Sequence, residues 1–207
     1  VKEAIEEVGS DALKTSVTVE DVNIQLLQGK VSLGGLAIAN LPNFSEPTIF
    51  KMDEISVGVD IMSLVDSLVN VTEIRIDGAK VTVEQKELGT NIQALLKNLE
   101  SGSSEVKQPE SSESATSPDI KIRIGEFHFA NSVGRLVSDR WGDRDIKIPG
   151  VDLSNIGGDK GLPPEALADV ILKPILNQLN QAIKDSVEGF VKEKAKEKLK
   201  EKEDELK

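Results

Sequence analysis

The sequence has no cysteine, no tyrosine, one histidine and only six aromatic residues (five Phe, one Trp) among 207. Without cysteine, thiol catalysis, Cys-built zinc sites and a disulfide scaffold are excluded. No apolar run approaches the roughly 20 residues needed to span a bilayer as a helix. Positive charge is scarce as well: 25 Lys and Arg stand against 36 Asp and Glu, for a net charge of -11. Such a chain is unsuited to nucleic acid, where affinity comes from neutralising phosphates. It is equally unsuited to holding an anionic membrane surface by charge. The nucleophile elbow, the P-loop and the G-x-G-x-x-G phosphate loop are also missing.

The chemistry-bearing residues that remain do not assemble into a site. Phe127 and Phe129 share one face of a strand and send the single histidine, His128, to the opposite, solvated face. The stretches Asp139 to Asp145 and Asp152 to Asp159 lack the spacing and closing Glu of a calcium loop, so they read as polar turns. Asn43-Phe44-Ser45 and Asn70-Val71-Thr72 match the glycosylation sequon, a pattern short enough to recur by chance. The expectation is a protein that is not an enzyme, with no catalytic residue, no metal ligand and no cofactor.

What is present is organised by period. Ile5, Val8 and Ala12 are spaced for a short helical lead-in over residues 1–14. From Thr15 to about Glu84 the period becomes two, as in half-buried strands. Val17 and Val19 alternate, and Val22, Ile24 and Leu26 continue one step out of phase, so a bulge or turn is expected at Glu20-Asp21. Val31 and Leu33 follow, then Ile38 beyond a strand kink at Gly34-Gly35. Leu41 to Pro47 is a loop by its prolines. Ile55, Val57 and Val59 form the next strand, and Met62, Leu64, Val65 and Leu68 fit a short helix. Ile74 and Ile76 read as one arm of a hairpin, Asp77-Gly78 as its turn, and Val81 and Val83 as the other arm. A second amphipathic helix spans Asn91 to Leu99.

Residues 101–118 hold seven Ser, three Glu and two Pro, which predicts a flexible insertion. Strands resume with Ile120, Ile122 and Ile124, then slip phase at Gly125-Glu126 to Phe127 and Phe129. Pro163-Pro164 opens a helix over residues 161–191. Leu167, Ile171, Ile175, Leu179, Ala182, Ser186 and Phe190 make its apolar stripe, flanked by Leu172, Leu176, Ile183 and Val187. Pro174 kinks that helix without ending it. Residues 192–207, with seven Lys and six acids, read as a solvated or frayed charged tail.

The fold class expected is α+β: a long, twisted, mainly antiparallel sheet folded into a groove, with short helices and a C-terminal amphipathic helix. Short turns favour sequential antiparallel pairing, and eight or nine strands at about 4.8 Å spacing give a groove of roughly 40 Å. One sheet face is almost purely aliphatic and must be covered. The C-terminal helix, a second copy of the chain, or lipid each satisfies that need, and composition does not separate them.

Several phrases resemble the AsmA-like family of bacterial envelope proteins, which belongs to the repeating-β-groove lipid-transfer group. They are Val17-Thr18-Val19-Glu20-Asp21-Val22-Asn23-Ile24-Gln25-Leu26-Leu27, Leu33-Gly34-Gly35-Leu36-Ala37-Ile38-Ala39-Asn40, Ile55 to Asp60, Ser63-Leu64, Glu73 to Ala79, Asn91 to Leu96 and Leu153 to Gly158. Together they cover most of residues 1 to 160. The resemblance implies a β-groove domain over residues 15–160 and a role in phospholipid traffic and outer-membrane homeostasis. It implies a periplasmic location with an inner-membrane anchor, which these residues do not contain; a start at Val1 without Met agrees with a removed leader or anchor. The candidate groove lining is Val22, Ile24, Leu26, Val31, Leu33, Ile55, Val57, Val59, Ile74, Ile76, Val81, Val83, Ile120, Ile122, Ile124, Phe127 and Phe129. The partners implied are a phospholipid or other acyl-chain ligand, the membrane through the anchor, and a second copy or an envelope protein for end-to-end assembly.

Overall fold

A computed structural model describes residues 1–87, 89–104, 120–140 and 142–205. In chain order the elements are α1 (Lys2–Leu13), β1 (Val17–Thr18), β2 (Asp21–Gln25), β3 (Lys30–Ala39), β4 (Thr48–Val59), β5 (Leu68–Asp77), β6 (Lys80–Lys86), β7 (Gly89–Thr90), α2 (Asn91–Ser104), β8 (Lys121–Ala130), β9 (Val133–Ser138), β10 (Arg144–Lys147), β11 (Val151–Ile156) and α3 (Pro164–Glu205). Three 3-10 turns punctuate them, at Leu26–Gln28, Ile61–Val65 and Gly158–Lys160.

All eleven strands join one mixed, open sheet, so the fold is α+β as expected. Its topology differs from a sequential meander. Asp77-Gly78 does not turn a hairpin, because β5 and β6 never pair with each other. Both run antiparallel to β4, β5 along Ile55–Val59 and β6 along Phe50–Lys51. They form one long strand broken by a kink. β8 and β9 repeat the arrangement beside it, parallel to β5 and β6 respectively, and β11 and β10 lie outside them. Main-chain hydrogen bonds carry the ladder across the break, from Gly78 N–H to Ala130 O (3.1 Å) and from Val133 N–H to Ala79 O (2.9 Å). The Asp-Gly signal was real, but its left-handed Gly78 (φ 74°) bends a strand, as do Gly35 in β3 (φ 59°) and Asn131 (φ 50°). A kink line thus crosses the sheet and divides it into two halves, each six strands wide. Five spacings of about 4.8 Å give a width near 24 Å, not the 40 Å expected from a meander.

A second line of irregularity lies within one half. Inward residues shift phase together from Val69 and Val71 to Ile74 and Ile76 in β5, and from Ile122 and Ile124 to Phe127 and Phe129 in β8. The slip expected at Gly125 is therefore shared by its neighbour. A Cβ on Gly125 would stand 2.6 Å from the carbonyl oxygen of Thr72, so the close approach requires glycine there. The slip at Glu20-Asp21 appears as the break between β1 and β2, both of which pair with β3.

Three helices pack on the concave apolar face. Leu13 of α1, Ile92, Leu95 and Leu99 of α2, and Ile175, Leu176, Leu179 and Ile183 of α3 are all buried. The core forms where they meet Ile38, Phe50, Met52, Ile76 and Phe129, with only about 40 Å³ of space left at the seam. α2 runs to Ser104, so residues 101–104 are helical instead of part of a flexible insertion; the rest of that expectation, over 105–118, lies outside the described residues. α3 continues through Pro174 and past residue 191 to Glu205. The tail expected to be solvated or frayed is solvated where its burial is described, at 192–197 and 199, and over 192–205 it continues one helix about 63 Å long at 1.5 Å per residue. Met62, Leu64 and Val65 lie in a short helix as expected, of 3-10 type and capped by Asp60, whereas Leu68 begins β5.

Candidate functional site

The strand register places the inward side chains in cross-sheet rows. Ile24 pairs with Val31, Val31 with Val57, Val57 with Ile74, and Ile74 with Phe127, which faces Leu153. Next to it, Val22, Leu33, Ile55, Ile76, Phe129 and Val151 align in the same way. Val59, Val71, Ile124 and Ile156 make a third row, and Val69 and Ile122 a fourth. Period-two strands in register yield a continuous aliphatic surface, because every second side chain lands on the same face. Arg75 projects the other way, being exposed beside the buried Ile76.

Burial divides this surface in two. Leu33, Ile55, Ile76, Val81, Val83, Ile124, Phe127 and Phe129 are buried. Val22, Val31, Val57, Val59, Ile74 and Ile122 are half-buried, while Ile24, Leu26 and Ile120 are exposed. Val81 and Val83 belong to the half beyond the kink, the half on which α2 packs. Two expected groove residues lie outside the strands: Leu26 stands in the 3-10 turn after β2, and Ile120 precedes β8. The uncovered end of the surface forms a mouth of about 280 Å³ lined by Val1, Ile24, Leu26, Gly29, Lys30, Val31, Val59, Ile61 and Leu64. That is slightly less than the ~300–1,000 Å³ of a drug-sized ligand site. It suits a length of one hydrocarbon chain better than a whole lipid. A larger cleft of about 500 Å³ between β10 and α3 mixes Ile146, Pro149 and Ala182 with Asp145, Lys147, Gln178, Gln181 and Asp185; those charged and amide groups make it less suited to an acyl chain than the mouth.

Two polar clusters stand apart from the groove. Glu84 in β6 is buried, 3 % exposed. Its carboxylate accepts from the N–H groups of Ser45 and Glu46 (2.8 Å each), the Ser45 hydroxyl (2.8 Å) and Asn40 Nδ2 (3.0 Å), with Lys86 Nζ at 3.3 Å. Burial by itself would raise this carboxyl, but the backbone donors of Glu46 and Ser45, the Ser45 hydroxyl and Lys86 outweigh it and hold it below the usual range. Glu84 N–H in turn donates to Asn91 Oδ1 (3.0 Å), so β6, α2 and the Leu41–Pro47 loop are locked together. Sequence reasoning missed this lock, since its partners lie about 40 residues apart and carry no local pattern.

On the convex face, His128 Nδ1 lies 2.7 Å from Asp152, and Nε2 lies 3.3 Å from Glu126 and 3.7 Å from Glu73. The hydrogen bond to Asp152, followed by that to Glu126, raises the imidazole above its ordinary value. Such a His and carboxylate set has the donor types of a metal site. Arg75 pairs with Glu73, and His128, when protonated, bridges Glu126 and Asp152. The placement of His128 on the face opposite Phe127 and Phe129 agrees with the alternation expected.

A sheet with one continuous aliphatic face, kinked and part-covered by helices, is the geometry on which the comparison with known proteins bears. The family model described as the AsmA family matches residues 9–143. The chain belongs to the AsmA family. No curated protein and no solved structure matches it. The matched segment runs from α1 through β9 and so contains nearly the whole groove lining and the mouth. Membership associates the chain with the cell envelope. No helix among the described residues is long and apolar enough to cross a membrane.

Proposed function

We propose that this AsmA-family chain is a non-enzymatic envelope protein that holds an acyl chain of a phospholipid in its β-groove and helps to move it. On this reading it works in the periplasm, held to the inner membrane by an anchor outside these residues, and supports the outer membrane. The observation that carries the reading is the mouth between β2, β3 and β4. There the aliphatic rows continue out from under the helices and remain open, with side chains of only Val, Ile and Leu apart from Lys30. An acyl chain is recognised by such non-directional apolar contact alone. A groove of ~24 Å width does not by itself connect two membranes.

A second reading has its own support. α3 buries Ile175, Leu176, Leu179 and Ile183 against the sheet, and α1 and α2 add to the cover. A groove closed in this way by its own helices serves as an assembly scaffold. Mass spectrometry of gently purified protein separates the two: reproducible co-purifying phospholipid supports the lipid reading. Its absence, with no uptake of an added fluorescent phospholipid, supports the scaffold.

A further inference from the structure

The exposed large aliphatic side chains of this protein are not scattered. Of the thirteen among the described residues, Val1, Ile24, Ile120 and the six on two 3-10 turns lie at one end of the sheet. Those six are Leu26 and Leu27 on one turn, and Ile61, Met62, Leu64 and Val65 on the other. Leu27 is fully exposed, Val65 is 86 % exposed and Met62 is 76 % exposed. The two turns are neighbours, since β2, β3, β4 and β5 are successive antiparallel strands and both turns join them at the same edge. Val59 N–H donates to Gly29 O (2.7 Å), tying the bases of the turns together. A cluster of this kind marks an interaction surface, because single exposed leucines occur anywhere but a concentrated set does not.

We propose that these two turns dock the protein onto a lipid bilayer, with the groove mouth opening between them into the acyl region. The inference rests on the lipid reading above and adds the place of entry. Three observations favour a bilayer over a protein partner. Four of the six apolar residues on the turns (Leu26, Leu27, Leu64 and Val65) are Leu or Val, types under-represented among the hot spots of protein interfaces. They protrude as short turns, a shape suited to insertion between lipids. They are also continuous with the mouth, whose walls include Leu26, Ile61 and Leu64. An acyl chain that passed through water on its way in would lose about fourfold in equilibrium for each methylene exposed, so a mouth seated in the bilayer removes that barrier. The charged continuation of α3 beyond Phe190, which packs on Arg144 of β10, belongs to the opposite half of the sheet.

The test uses the full chain and neutral phosphatidylcholine vesicles, so that charge contributes nothing. The expected result is co-flotation that does not weaken with added salt. The double variant Leu27→Asp with Val65→Asp should lose about a hundredfold in vesicle affinity, while binding of a monomeric fluorescent fatty acid, measured without vesicles, stays intact. Both side chains are exposed, so an unchanged melting curve is expected alongside. If the wild type binds the free fatty acid but does not float with vesicles, docking is overturned and the groove reading survives. If the wild type binds neither, both fail. If it does not float, and the variant instead converts a sedimenting dimer to a monomer, the end is a contact between copies and docking is overturned.

Discussion

The two halves of the sheet, on either side of the kink at Gly35, Gly78 and Asn131, use the same strand chemistry toward different ends. Beyond the kink, Ile38, Phe50, Val81, Val83 and Leu136 are buried, in the half where α1 and α2 pack. On the near side Leu33, Ile55, Ile76, Ile124, Phe127 and Phe129 are buried too, but toward the two 3-10 turns Ile24, Val31, Val57 and Val59 present equally aliphatic side chains that remain half-buried or exposed. Alternation decides which face a residue points to, but not what covers that face. Cover is a tertiary property, set here by where three helices happen to reach.

The largest effect should come from the cover. Leu176→Ala or Leu179→Ala, each removing a side chain 1 % exposed, should cost about 2–5 kcal/mol in urea unfolding. Leu27→Ala at the open end should stay within about 0.5 kcal/mol. Equal losses in the two halves would erase the distinction between core and site. Gly125→Ala sharpens the same comparison, since its Cβ would meet the Thr72 carbonyl on the inner line of phase slips; about 1–3 kcal/mol of destabilisation is expected. Gly189→Ala, with open space around it in α3, should instead stabilise by up to about 1 kcal/mol.

Glu84→Gln removes the charge from a carboxylate that anchors the covered half, and about 1–3 kcal/mol should be lost at neutral pH. The linkage has a definite sign. Because the folded carboxyl titrates below its unfolded value, its contribution is present above about pH 4.3 and is lost as the pH falls through the folded value. The variant should therefore approach the wild type in acid, as followed by melting temperature against pH. His128 gives the smallest effect and the opposite sign. Its raised value contributes stability below about pH 6.5 that disappears as the pH rises through the folded value. As the only histidine, its ring resonances titrate alone by NMR, with a midpoint above 6.5, and Asp152→Asn should lower that midpoint.

Much of the sheet was legible in the chain. Val57, Ile74, Ile76, Ile122 and Ile124 alternate strictly, the phase slip at Glu20 appears as a strand break, and that at Gly125 as a change of inward phase shared with β5. Topology was not legible, because Asp77-Gly78 permits a left-handed residue in a hairpin or in a kinked strand, and only the remote pairing with β4 decides between them. The helical cover was partly legible: the stripe of α3 announced an apolar contact, whereas α1 was too short to show that Leu13 would close the groove. The lock on Glu84 joins residues distant in sequence. The turns that expose Leu27 and Val65 carried only a run of apolar residues, equally compatible with burial.

The central claim is that an acyl chain occupies the open end of the near half and not the covered core. It is tested most directly by adding a phospholipid that carries a nitroxide on one tail and reading methyl intensities by NMR. Occupation of the mouth predicts strong broadening at Ile24, Val31, Val59 and Leu64, with Ile92, Leu95 and Leu99 beneath the covered half unchanged. Equal intensities throughout, or broadening that spares the mouth, would contradict it.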